Sequence, residues 1–215
     1  MQRYNFFRTY ANKRTFSFGG TPKNKGKRAC ACVCQKKAVL LQAIMETIYF
    51  AGGCFWGMEH FFQQVQGVVS TETGFANGNE DLPAPTYEQV YTDRTGYAET
   101  VKVEYDEQHV SLAFLTRMFF AAIDPLSLNK QGEDEGTRYR TGVYYLSEEQ
   151  KAVIESVFAE EQKKYTEPMQ VELLPLRNYY PADEYHQDYL NKHPDGYCPL
   201  PLSLFRWARE VTVDS

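Results

Sequence analysis

The first 44 residues contain no aspartate and no glutamate, yet they hold ten basic residues (Arg3, Arg8, Lys13, Arg14, Lys23, Lys25, Lys27, Arg28, Lys36 and Lys37). All 28 acidic residues therefore fall after Ile44, against 13 basic ones, and the body of the chain has a net charge of −15. Such a body repels phosphate backbones, which argues against a nucleic-acid partner. No apolar run approaches the length of a membrane-spanning helix; the longest lies around Ala38–Ile44. No apolar core of a secretory signal follows the basic start. Cysteine is scarce: five residues, an odd number, do not read as a disulfide framework, and a reducing compartment, the cytoplasm, is the default. The four histidines follow no metal-ligand spacing.

Residues 1–44 stand apart from 45–215. They are interrupted by Gly19, Gly20, Pro22 and Gly26 and show no sustained period. They read as a disordered basic extension, or as a reading frame begun ahead of a true start at Met45. The alternative is an organelle-targeting segment, which would change the localisation. Cys30, Cys32 and Cys34 alternate there, but paired zinc ligands usually have two or more residues between them. Residues 45–215 read as one catalytic domain, and no internal repeat is visible.

Aromatics are abundant instead, at 15% of the chain, enough for a dense core or an aromatic-lined pocket. Thr47–Ala51 is apolar on both faces, as a central strand would be. Cys54–Gln66 has helical spacing and Gly67–Phe75 reads as a strand. A loop rich in turn formers runs from Asn77 to Pro85. Ala98–Tyr105 alternates cleanly, Ser111–Ile123 is an apolar-striped helix, and Asp124–Thr137 is a charged loop. Tyr139–Leu146 is a further strand, and Ser147-x-x-Gln150 forms a capping box before an amphipathic helix. Met169–Leu174 is a last strand, Pro181–His193 a last helix, and the remainder an irregular tail. The first six elements in this order match the split βαβ pattern. It predicts an α+β fold: a two-layer sandwich with a mixed sheet, a ferredoxin-like core and a long coil C-terminal tail.

Chemistry concentrates at Cys54, at a strand-to-helix junction behind Gly52-Gly53. A helix start carries partial positive charge and free N–H groups, which favour a thiolate. A buried core cysteine is the alternative. Phe55 and Trp56 follow at once, as pocket wall or as core. Glu99 shares the parity of Val101, Val103 and Tyr105, so it points to the apolar face, where desolvation favours the neutral acid. A neutral buried carboxyl can donate a proton at neutral pH. Tyr87 and Tyr139 could hold a polar oxygen beside it. Asp134, in a Gly-bounded acidic loop, reads as a solvated charge or as a positioned carboxylate. His186 falls on the apolar stripe of the last helix, as a hydrogen-bonded core histidine would. Cys198 sits in a proline-rich tail mobile enough to bring a second thiol to the first, where a sulfenic acid would condense with it.

These residues together resemble the A-type peptide-methionine sulfoxide reductase family. The similarity is carried by Gly53-Cys54-Phe55-Trp56-Gly57, Pro85-Thr86-Tyr87 and Thr95-Gly96-Tyr97-Ala98-Glu99, then Asp134-Glu135-Gly136-Thr137-x-Tyr139-Arg140, Tyr185-His186-Gln187-x-Tyr189-Leu190 and Gly196-Tyr197-Cys198. The six motifs occur in order and span about residues 46–198. The resemblance implies reduction of the S epimer of methionine sulfoxide, free or in oxidised proteins, as a repair activity. It implies attack by Cys54, protonation of the sulfoxide oxygen by Glu99, and hydrogen bonds to that oxygen from Tyr87 and Tyr139. Phe55 and Trp56 would receive the methyl group, with Asp134 and Tyr197 also on the substrate side. Cys54 would become a sulfenic acid and form a disulfide with Cys198, which thioredoxin would reduce. No metal or organic cofactor, no membrane and no nucleic acid are implied, and the enzyme is expected to act as a monomer. Two other classes remain open: a peroxidase-type thiol enzyme, disfavoured by the Phe55-Trp56 pair, and a non-catalytic redox or metal module using Cys30, Cys32 and Cys34.

Overall fold

The computed structural model describes residues 45–212. The basic segment 1–44, with Cys30, Cys32 and Cys34, lies outside the described residues. The first strand, β1 (Met45–Gly52), alternates between two buried faces: Ile48 and Phe50 on one side, Tyr49 and Ala51 on the other. Helix α1 (Phe55–Gln63) follows, then β2 (Val68–Ala76), a short α2 (Tyr87–Tyr91), β3 (Ala98–Asp106) and α3 (Leu112–Ala122). A two-stranded ribbon, β4 (Lys130–Gln131) and β5 (Asp134–Glu135), interrupts the charged loop. After a 3-10 turn at Thr137–Tyr139 come β6 (Thr141–Tyr145), α4 (Glu148–Gln162), β7 (Glu172–Pro175), β8 (Tyr179–Pro181), α5 (Tyr189–Lys192) and α6 (Leu202–Glu210).

The sheet order is β7-β6-β1-β3-β2-β8. Its middle four strands keep the ferredoxin-like arrangement, with β3 between β1 and β2 and antiparallel to both. The β6–β7 pair is parallel and the sheet is therefore mixed. Helices α1, α3 and α4 cover one face and bury Phe50, Phe62 and Phe119, whose rings stack with centroids 4.6 and 5.2 Å apart. Each such fully buried side chain contributes about 1.5–3 kcal/mol. The other face holds Tyr49, Ala51, Ala76, Ala98 and Tyr144 beneath Leu176 and Tyr179. Both outer strands are short and end in proline: Pro175 beside Tyr145, and Pro181 beside Gly74. Among the described residues no helix is long and apolar enough to cross a membrane.

Several local expectations are corrected. The Ser147 hydroxyl caps α4 through the Gln150 N–H (3.3 Å), but the Gln150 side chain accepts from the Leu146 N–H and donates to the Thr47 carbonyl. Its return arm thus ties the helix start to β1. The reciprocal box occurs at α2 instead, between Thr86 and Gln89. Tyr139 lies in the 3-10 turn, not in a strand, although it is buried as expected.

The largest correction concerns Pro181–His193, which is no helix. Pro181 closes β8, and the Ala182 N–H donates to the Thr73 carbonyl. The Gln187 amide then brackets Thr73, accepting from its N–H and donating to its carbonyl, as a neighbouring strand would. Asp188 turns left-handed (φ 53°), and the Glu59 carboxylate takes its N–H at 2.8 Å. Only Tyr189–Lys192 is helical. The tail is irregular from His193 to Pro201, and α6 then returns to the core through Phe205 and Ala208.

Candidate active site

Strand register gathers the site. β1 ends with Gly52 opposite Thr141, while β3 begins with Ala98 opposite Ala76. Because β1 and β3 are antiparallel and central, the end of one lies at the start of the other. Cys54 follows β1, Glu99 opens β3, Tyr139 precedes β6 and Tyr87 opens α2, so four distant segments meet at one end of the sheet.

Gly53 makes the turn possible. Its φ is +84°, and a Cβ there would fall 2.6 Å from the Gln131 side chain. Gln131 is itself fixed by paired 2.8 Å bonds to the backbone of Asp124. Cys54 is the N-cap of α1 and is 6% exposed. The helix start was expected to pull its thiol down. The N–H groups of Trp56 and Gly57 do act in that direction, but burial, followed by the neighbouring Glu99, pushes the thiol well above its ordinary range. At rest Cys54 is a protonated thiol.

Glu99 is 1% exposed, on the inward parity expected for it. Its Oε2 accepts the Phe55 N–H at 3.0 Å, a free donor of the α1 first turn. Burial pushes Glu99 up to about 8, against the opposing pull of that N–H and of Arg138, so the carboxyl is mainly protonated at neutral pH. Tyr87 and Tyr139 lie within electrostatic reach of it, and both phenols are pushed up, chiefly by burial. Asp134 sits on β5, where burial raises it. One carboxylate oxygen accepts the Tyr197 hydroxyl at 3.1 Å, and the other is buried without a partner among the described residues.

An aromatic cluster closes the other side. Trp56 stacks on Tyr189 at 3.8 Å and faces His186 at 5.7 Å; His186 in turn stacks on Tyr87 at 4.4 Å and lies 5.4 Å from Phe55. Phe55 is buried and Trp56 half-buried, so Trp56 offers the accessible part of this wall. His186 is buried and kept neutral by burial, as a core histidine would be, but its Nδ1 has no partner among the described residues. Its ring is held by stacking against Trp56 and Tyr87.

Cys198 lies over the first turn of α1. Its sulfur is 3.4 Å from where a Cβ on Gly57 would be, and it contacts the Leu200 carbonyl at 3.5 Å. Burial raises this thiol too. Cys54 and Cys198 are both free thiols. Every site residue singled out in the sequence thus falls in one neighbourhood, with Tyr197 at its exposed rim. Among the described residues no group of three or more His, Cys, Asp or Glu could hold a metal ion.

Sequence reading missed Arg138 and Asp93. They form a 2.6 Å ion pair against Tyr91 and Tyr139, and the pairing exists only once α2 and the 3-10 turn are adjacent. Glu59, buried one turn beyond Cys54 and pushed up to about 7 by burial, was missed as well. The only available signal was an acidic residue on an otherwise apolar helix face.

The family model described as "Peptide methionine sulfoxide reductase" matches residues 46–212. The "Peptide methionine sulfoxide reductase MsrA" of Clostridium acetobutylicum is 51% identical over 162 residues, 75% of this chain and 99% of the relative. The reduced form of Mxr1 from Saccharomyces cerevisiae superposes with a TM-score of 0.68 at 36% identity, covering 72% of this chain and 88% of that one. The methionine sulfoxide reductase A of Corynebacterium diphtheriae gives 0.65 at 36% identity, over 72% and 78% of the two chains. With a thiol, a buried neutral acid and two phenols at one sheet end, and with this match over its whole described body, the chain belongs to the peptide methionine sulfoxide reductase family.

Proposed function

We propose that this enzyme reduces methionine-S-sulfoxide, in oxidised proteins and as the free amino acid, through the Cys54 sulfur. The carrying observation is the pairing of a buried thiol and a buried carboxyl at the same helix start, where the Phe55 N–H donates to Glu99. The Cys54 sulfur attacks the sulfoxide sulfur while Glu99 delivers its proton to the sulfoxide oxygen and takes up the thiol proton. The sulfur–sulfur bond formed by the attack and the substrate S–O bond then both break as the oxygen passes to the Cys54 sulfur and the Cys54 S–O bond forms. The products are methionine and a Cys54 sulfenic acid, and Glu99 ends protonated, as it began. Tyr87 and Tyr139 hydrogen-bond the oxygen as charge develops on it. Phe55 and Trp56 receive the methyl group, and Asp134 and Tyr197 hold the polar side of the substrate. Trp56, held by its stack on Tyr189, supports the methyl-receiving role.

In the second stage the Cys198 sulfur attacks the sulfenic sulfur. The Cys54–Cys198 bond forms, and hydroxide leaves with the thiol proton as water. A dithiol partner, thioredoxin, then reduces the disulfide by exchange, so the reading requires no metal or organic cofactor. The seat of Cys198 over the α1 first turn supports it as the resolving thiol. The enzyme acts as a monomer in this reading. A thioredoxin-coupled assay with each sulfoxide epimer separately tests it. The S epimer should be consumed and the R epimer left, and Cys54→Ser should abolish turnover. Full activity in that variant would end the assignment.

A further inference from the structure

Arg138 occupies the middle of a sandwich beside the site. Its guanidinium carbon lies 4.2 Å from the Tyr91 ring centre and 4.3 Å from that of Tyr139. Its Nη1 donates to Asp93 Oδ2 at 2.6 Å and to the Tyr91 carbonyl at 3.3 Å. Its backbone N–H donates to Asp93 Oδ1 at 3.1 Å, and the Thr137 hydroxyl donates to the same oxygen at 3.2 Å. Gly136 (φ 141°) leaves room for the crossing, because a Cβ there would lie 2.5 Å from Asp93 Oδ2 and 2.7 Å from Arg138 Nη1. Arg138 is 7% exposed, and its Nε is buried with no partner among the described residues. A surface ion pair would need none of this enclosure. The cation–π contacts, by contrast, press the guanidinium between the exposed Tyr91 ring and the buried Tyr139 ring and so orient Tyr139.

We propose that Arg138 is a positioning residue: pinned by Asp93 and stacked on Tyr139, it holds that phenol beside Glu99 and acts on the buried acid through space. This rests on the reading of Glu99 as the proton donor. Several groups face Glu99. Cys54 and the Phe55 N–H come from the α1 start, Tyr87 from α2, Asp93 from the turn after α2, Asp134 from β5, and Arg138 with Tyr139 from the 3-10 turn. Among them Arg138 is the cation that favours the carboxylate, whereas Asp93 and Asp134 oppose it. The pair Asp93–Arg138 therefore works on Glu99 in opposite senses from one anchored unit.

The test is the pH profile of methionine formation under single-turnover conditions, which does not involve recycling through Cys198. The unaltered enzyme should lose activity on an alkaline limb as Glu99 loses its proton. Arg138→Gln removes the cation, so this limb should move to higher pH by about 0.5–1 unit, and the plateau rate should fall about tenfold as Tyr139 loosens. Arg138→Lys keeps the charge but loses the planar fork, so the plateau should fall while the limb stays. Asp93→Asn should move the limb to lower pH. Opposite movements in Arg138→Gln and Asp93→Asn are not produced by general loosening. An unmoved limb in Arg138→Gln, or equal plateau losses in all three variants with no movement, overturns the proposal. Glu99→Gln separates the layers: if it keeps the full rate and the limb, the acid reading itself fails; if it loses the rate while Arg138→Gln leaves the limb in place, only the inference about Arg138 fails.

Discussion

At the scale of the residue, Glu99 carries two consequences that can be measured apart. As proton donor it should be needed for the chemical step, so Glu99→Gln should slow single-turnover reduction by about 10²–10⁴-fold, with substrate affinity changed far less. As a buried acid it should also cost stability. Its folded proton affinity is raised, toward about 8, so the folded state holds a proton that the unfolded state has already released near pH 4.5. Stability is therefore intact below the unfolded value and declines as pH rises toward 8. Tenfold in proton affinity is worth about 1.4 kcal/mol, so Glu99→Gln should gain on the order of 3–5 kcal/mol at pH 8.5 relative to pH 4.5, read by denaturant unfolding at the two pH values. Glu59, raised to about 7 by burial, tilts the same curve in the same direction. A variant slower in catalysis yet more stable at alkaline pH would separate the two roles in one protein.

At the scale of the element, glycines decide what α1 can hold. Gly53→Ala should destabilise by about 1–3 kcal/mol, because the residue must keep φ +84° and its methyl would meet Gln131. Gly57→Val should act elsewhere, since the space above residue 57 belongs to Cys198 and Leu200. It should leave the first turnover near its normal rate and slow thioredoxin-driven cycling, by about tenfold, a difference read by comparing burst amplitude with steady-state rate. Elements also mark the limit of sequence reading. β1, β3 and α3 were legible because alternation or a 3.6-residue stripe persists through each of them. The segment Pro181–His193 was not. Its apolar stripe of Ala182, Tyr185, His186 and Tyr189 suits a helix, but the Gln187 amide takes the place of a strand against Thr73, and Asp188 turns left-handed. Neither interaction exists until β2 is in place. Helix α6 escaped for a similar reason: in a proline-rich tail, only Phe205 and Ala208 return to the core.

At the scale of the whole molecule, the described core and the family match share nearly the same bounds, residues 45–212 and 46–212. Removing residues 1–44 should therefore leave kcat and KM for methionine-S-sulfoxide within about twofold, measured with thioredoxin as reductant. Cys198→Ser in the full chain should release one methionine per enzyme and then stop, and retained cycling would point to another thiol. Site legibility follows from the same architecture. Cys54, Glu99 and Cys198 stood out as candidates because motif and strand parity are local, whereas Arg138 and Asp93 become a pair only when the sheet brings α2 to the 3-10 turn.

The sheet's two borders also bear on what the enzyme meets. Oxidised proteins present loose, extended backbones, and an open strand edge would capture them by main-chain pairing. Here the borders are strands of four and three residues, each ending in a proline with no N–H to offer. Among the described residues the sheet therefore offers an extended chain only short stretches of edge to pair with.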